Sequence, residues 1–206
     1  VAPQSLALYD DMTGEENLRF FGRLYSMDKR TLRERVAATL DMVGLEARKK
    51  DRVGEYSGGM KRRLNLAVAM IHDPPMLLLD EPTAGVDPQS RNNILDLVRE
   101  LATQGRTIVY TTHYMEEASR LCNRIAIMDK GKILALGEVH ELVAKFGGAS
   151  TVTIVRDEGE ERIVTSDPVK EIARVMSQAQ GIRGVRIDRP DLESVFLTLT
   201  GRSLRD

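Results

Sequence analysis

The sequence has 206 residues, 42% hydrophobic and 30% charged, which allows one sizeable core and a small second module. Its 30 basic and 31 acidic residues leave a formal net charge of -1, so no global field points to nucleic acid or an anionic membrane surface. The single Cys122 excludes an internal disulfide and reads as a small core hydrophobe, and apolar runs such as 76–79 and 125–128 fall far short of the roughly 20 residues that cross a bilayer.

The chain opens on Val1-Ala2-Pro3-Gln4, with neither a charged n-region nor a long apolar stretch, and this start is expected to be internal to a longer polypeptide. Thr13-Gly14-Glu15-Glu16 has the spacing of a capping box, and Leu18, Phe21 and Leu24 follow at helical intervals. Leu32, Val36, Leu40 and Val43 line the stripe of a second helix that Gly44 stops. Residues 5 to about 55 therefore read as a small helical lobe. Met76 to Leu79 is a short apolar run ending in acid, as expected of a strand buried on both faces. A helix over 88–104, a strand over 107–112, a short helix near 115–121 and a strand over 124–128 alternate after it, predicting a mainly parallel sheet flanked by helices. Asp129-Lys130-Gly131-Lys132 is a turn signal, so the strand at 124–128 is expected to pair with 132–136 as an antiparallel hairpin. Beyond Gly147 come strands at 151–155 and 162–165, a helix near 168–178, a strand at 184–188 and a helix at 191–199, read as an α+β appendage.

Three places carry candidate chemistry. Ser57-Gly58-Gly59 opens a helix (Leu64, Ala67, Val68, Ile71) with Ser57 as N-cap, and such an end is either an ordinary capped start or a site for phosphate. Asp80 and Glu81 end the apolar strand, where ligands sit in open α/β sheets; alternation along the strand sends their side chains different ways, one suited to Mg2+ and the other to an attacking water. His113 follows the next strand, Ile108 to Thr112, and reaches the same sheet edge, whereas His72 and His140 read as structural.

Taken in order, Tyr56-Ser57-Gly58-Gly59-Met60, Leu77-Leu78-Leu79-Asp80-Glu81-Pro82-Thr83, Gly85-Val86-Asp87 and His113 resemble the motifs of the ABC (ATP-binding-cassette) ATPases over residues 1 to about 145. Four ordered motifs are hard to obtain by chance. The resemblance implies that Ser57, Gly58 and Gly59 form the signature motif, that Asp80 closes the Walker B strand, that Glu81 is the catalytic glutamate and that Asp87 belongs to the D-loop. It also implies that His113 is the switch histidine and that Gln4 is the Q-loop glutamine, which with Asp80 would hold Mg2+. The signature departs from the family pattern at Tyr56, in place of Leu, and at Met60, in place of Gln. No Gly-x-x-x-x-Gly-Lys-Ser/Thr P-loop occurs anywhere in the chain.

What the resemblance implies for the fold is a partial P-loop NTPase-like α/β core over 1–146, with a helical subdomain at about 5–72 and a catalytic core at 73–146, followed by the appendage at 147–206. For function it implies an ATP-hydrolysing subunit using ATP and Mg2+, working as an ATP-sandwich dimer with a second ATPase subunit. It would lie in the cytoplasm, held at the inner face of the membrane through a separate permease, with no nucleic-acid partner. The stretch 84–88 and the tail 191–202 resemble exporters of drugs, antibiotics or polysaccharides. Without a P-loop the chain by itself is expected to be inactive. Two other readings stay open, a non-transport ABC ATPase and an inert interaction fragment.

Overall fold

The computed structural model describes residues 1–178 and 181–201, which divide into two compact units, one ending at Leu121 and the other beginning at Cys122. In the first unit, helix α1 (Gly14–Leu24) begins at a closed capping box. Thr13 Oγ1 accepts from the Glu16 amide at 3.2 Å and the Glu16 carboxylate accepts from the Thr13 amide at 2.8 Å. Helix α2 (Lys29–Met42) starts at Asp28 and buries Leu32, Val36 and Leu40; Gly44 ends it at φ +64°, a conformation that glycine adopts without strain. Helix α3 (Gly58–Met70) starts at Ser57, whose hydroxyl accepts from the Met60 amide at 3.2 Å.

Strand β1 (Met76–Asp80) runs parallel to β2 (Thr107–Thr111), Leu77 opposite Ile108 and Asp80 opposite Thr111. Helix α4 (Pro88–Thr103) makes the crossover that a parallel pair requires, and α5 (Met115–Leu121) follows β2. On the other side of β1, the Ala2 amide donates to Leu78 O at 2.8 Å and Ala2 O accepts from the Asp80 amide at 2.9 Å. The first residues thereby extend the parallel sheet, and Gln4 arrives beside the end of β1. Leu18, Leu40, Leu64, Leu66, Leu77, Leu79, Ile94 and Leu101 share one continuous core, so helices and sheet stand or fall together. The expectation that β1 is buried on both faces is not met: Leu77 and Leu79 are covered, but Met76 is 52% and Leu78 40% exposed. The core lies against one face only, and a continuous apolar run hides that alternation from the sequence.

In the second unit β3 (Ile125–Asp129) and β4 (Lys132–Gly137) form the expected antiparallel hairpin, with Lys130 at φ +48° and Gly131 at φ +74° in the turn. Helix α6 (Val139–Phe146) packs on β4 and on α8 (Leu192–Thr200). A three-stranded antiparallel sheet has β5 (Ser150–Arg156) at its centre, between β6 (Gly159–Thr165) and β7 (Ile182–Asp188). Helix α7 (Pro168–Gln178) closes a small core with it through Val152, Ile154 and Val175. β6 starts at Gly159, earlier than expected, because Glu160 and Glu161 occupy an exposed strand that has no apolar marker. The two units part at 121/122, ahead of the 146/147 boundary expected from the sequence, and α6 and α8, from either side of that boundary, pack together. Among the described residues, no helix is long and apolar enough to cross a membrane.

Candidate functional site

Four of the candidate residues meet at the carboxyl end of β1 and β2. Glu81, the first residue after β1, has φ +43°, a left-handed conformation that costs a non-glycine residue about 1–2 kcal/mol. Its amide is held by Thr111, donating to the carbonyl at 3.2 Å and to the hydroxyl at 3.1 Å. The two carboxylates have separate partners. Asp80 Oδ1 accepts from Thr111 Oγ1 at 2.5 Å, while Glu81 Oε2 accepts from Gln4 Nε2 at 3.2 Å and lies 3.2 Å from His113 Nδ1. One oxygen of Glu81 is thus fixed between an amide and an imidazole, leaving Oε1 to receive a proton or orient a water.

Ser57, Gly58, Gly59 and Asp87 form a second group. Asp87 caps α4, its carboxylate accepting from the Ser90 amide at 2.9 Å, and hydrogen bonding from the Ser90 side chain first, then from that amide, holds its carboxyl below the usual aspartate range. Gly59 lies directly against this cap: a Cβ there would come within 2.2 Å of Ser90 Oγ and 2.6 Å of Ser90 Cβ. The N-termini of α3 and α4 therefore abut through the glycine, whereas Gly58 faces open space and leaves its backbone accessible. Tyr56 is accommodated by another close approach. Its buried hydroxyl donates to Arg48 O at 2.7 Å and sits where a Cβ on Gly14 would be, at 2.4 Å, and burial pushes the phenol's pKa up.

Among the described residues no hydrogen bond or ion pair joins these two groups directly, yet α3 ties into both. Arg62 donates to Ala84 O through Nε at 3.3 Å and Nη2 at 3.1 Å, and through Nη1 to Gln4 O. One turn further, buried Asn65 accepts from the Ala7 amide at 3.1 Å and donates to Pro3 O at 3.2 Å. Arg62, Asn65 and Thr111 were not anticipated from sequence. Arg62 and Asn65 share a helix face at i, i+3, and two polar residues on an otherwise inward stripe are the signal that marks them.

The family model for ABC transporters matches residues 1–84. The Linearmycin resistance ATP-binding protein LnrL of Bacillus subtilis (strain 168) is 37% identical, over 100% of this chain and 75% of its own length. The Nod factor export ATP-binding protein I of Cupriavidus metallidurans is 41% identical, over 100% of this chain and 74% of its own. The chain belongs to the ATP-binding proteins of ABC transporters. A solved structure described as an ATP binding subunit of an ABC transporter superposes with a TM-score of 0.61 at 29% identity, over 71% of this chain and 61% of that one. The α/β architecture is accordingly that of an ABC ATPase.

Within this ABC fold the metal-binding capacity is sparse. Among the described residues no group of three or more His, Cys, Asp and Glu side chains is placed to hold an ion by itself. The strand end offers the Asp80 carboxylate and the amide oxygen of Gln4, whose nitrogen is engaged by Glu81. One carboxylate and one neutral oxygen fit Mg2+, which takes its remaining ligands from water and phosphate, and do not make a closed Zn2+ or Ca2+ cage.

Proposed function

We propose that this chain supplies the hydrolytic half-sites of an ABC exporter's ATP-binding subunit, with Glu81 polarising the attacking water. The observation that carries this reading is the Glu81 carboxylate held through Oε2 by Gln4 and His113, beside Asp80 at the sheet's end. Held so, Glu81 can take up a water proton through Oε1 without reorganising, the preorganisation on which phosphoryl transfer depends. His113 would also face the γ-phosphate, and Asp80 with Gln4 would hold Mg2+, which when bound neutralises charge developing on the phosphates.

Ser57, Gly58 and Gly59 belong, in this proposal, to the composite site of a partner copy. The exposed Gly58 and the start of α3 would face a γ-phosphate cradled by the second subunit's P-loop, and Asp87 would lie at the seam. The order of motifs and the names of the relatives support an exporter, peripheral to the membrane at its cytoplasmic face through a separate permease. Because the 206 residues contain no P-loop lysine, hydrolysis is proposed for a polypeptide that also carries a P-loop. In that polypeptide Glu81→Gln should abolish turnover and preserve ATP-dependent dimerisation, while the 206-residue chain alone should bind MgATP weakly in calorimetry. Wild-type turnover by the Gln variant would remove Glu81 from the chemistry.

A further inference from the structure

Among the described residues Glu117, on α5, is the only fully buried charged side chain, 2% exposed. Its Oε1 accepts from Thr83 Oγ1 at 2.8 Å and lies 3.6 Å from Arg91 Nε; its Oε2 accepts from Thr112 Oγ1 at 2.8 Å and from the Tyr110 hydroxyl at 2.9 Å. Thr83 is two residues past Glu81, and Thr112 immediately precedes His113. Thr112 Oγ1 in turn accepts from the Tyr114 amide at 3.0 Å, which closes the turn that presents His113. Arg91 lies 4.3 Å above the Tyr114 ring, and its amide donates to Asp87 O at 2.9 Å, one turn into α4. A carboxylate is acceptor-only, and every polar group facing this one can donate. A buried acid so fully engaged, bridging the two loops on either side of a reacting centre, exceeds what packing α5 requires, since Ala118 and Leu121 already do that.

We propose that Glu117 is a positioning residue for ATP hydrolysis: through Thr83 and Thr112 its carboxylate fixes the loop carrying Glu81 against the loop carrying His113. The 3.2 Å approach of His113 to Glu81 depends on those loops keeping their separation. This rests on the hydrolytic reading of Glu81 given above, and the test separates the two.

Glu117→Gln keeps the shape but sets an amide NH2 against hydroxyl and guanidinium donors. In the P-loop-bearing polypeptide it should lower kcat at least about tenfold and change KM for ATP less than about twofold, as misplacement of a catalytic group predicts. In the 206-residue chain the same variant should speed hydrogen exchange at the Tyr114 amide while circular dichroism reports an unchanged fold. Retention of kcat within about twofold, or a loss that merely follows a lowered melting temperature, overturns the proposal. Should Glu117→Gln fail to fold, Thr83→Val and Thr112→Val each remove one tie. Each should lower kcat, and the pair should be non-additive; wild-type kcat in both overturns the proposal equally. Glu81→Gln is assayed alongside. If it hydrolyses ATP like wild type, the hydrolytic reading fails, and Tyr114 exchange in Glu117→Gln still shows whether the carboxylate holds the loop.

Discussion

Gly59→Ala sets two effects of opposite sign against each other. Gly59 lies in the first turn of α3 with an ordinary helical backbone, so propensity alone favours alanine by about 1 kcal/mol. The space does not. A methyl group there would sit 2.6 Å from Ser90 Cβ as well as 2.2 Å from Ser90 Oγ, with Asp87 Oδ2 at 3.8 Å. The hydroxyl can rotate away, but Cβ is one bond from the backbone of α4, and the Ser90 amide is pinned to Asp87 at 2.9 Å. Relief therefore requires one helix end to move off the other, and overpacking of that kind costs about 1–3 kcal/mol. The net expectation is a destabilisation of about 1 kcal/mol, or about 2–4 °C in melting temperature for a chain of this size. Gly58→Ala meets nothing within 4 Å and should be neutral or stabilising. Melting temperatures of wild type, both single variants and Gly59→Ala with Ser90→Gly check the reasoning, because removing the serine side chain should recover most of the loss. A Gly59→Ala chain as stable as Gly58→Ala would refute the idea that the glycine is there for a close approach of α3 to α4.

Two further predictions concern the helical lobe. Tyr56→Phe deletes the bond to Arg48 O and should cost about 1 kcal/mol in denaturant unfolding, yet it should make Gly14→Ala, otherwise disruptive, much better tolerated, because the atom nearest the new Cβ is the hydroxyl. His72 stacks on Tyr25 with ring centroids 3.8 Å apart, and its buried Nδ1 has no hydrogen-bond partner among the described residues; burial, foremost, holds its pKa below the usual histidine range. A histidine with a lowered folded pKa leaves stability untouched above its unfolded pKa of about 6.5 and subtracts from it as pH falls, because the unfolded chain takes up the proton first. Melting temperatures measured from pH 8 to 5 should drop further for wild type than for His72→Phe, which keeps the stacking; equal slopes would refute the assignment.

How much could be read beforehand differed from element to element for physical reasons. The capping box at Thr13, the stripe of α2, the cap at Ser57 and the hairpin turn at Lys130-Gly131 are local devices, each complete within a few residues, and they stand as the spacing predicts. The juxtaposition of Gln4, Glu81 and His113 is not local. Position beside strand ends suggested Glu81 and His113, and the family resemblance alone implied Gln4, but the left-handed turn at Glu81 and the hydrogen bonds from its amide to Thr111 depend on β2 arriving alongside β1. Glu117 was hidden for another reason. It follows Glu116 in an acidic first turn that looks solvated, and only its place on the stripe Tyr114, Glu117, Ala118, Leu121 sets it apart. A polar residue on an inward stripe is a question to be answered with partners, and here its hydroxyl partners lie 34, 7 and 5 residues away along the chain.

The same logic makes α3 more than a capped helix. Its first turn presents Gly58 outward and packs Gly59 on the cap of α4, its second places Arg62 on the carbonyls of Gln4 and Ala84, and its third grips Pro3 and Ala7 through Asn65. Burial pulls the Arg62 pKa down while the charge of nearby Glu81 opposes that pull, and the carbonyls of Ala84 and Gln4 hold the guanidinium. Because these ties are backbone-directed and partly desolvated, α3 cannot shift as a rigid body without carrying the segment at 3–7 and the loop at 81–84, or losing bonds worth about 1 kcal/mol or more each. Through Arg62 and Asn65, α3 therefore joins the segment at 3–7, Gln4 included, to the loop that follows Glu81.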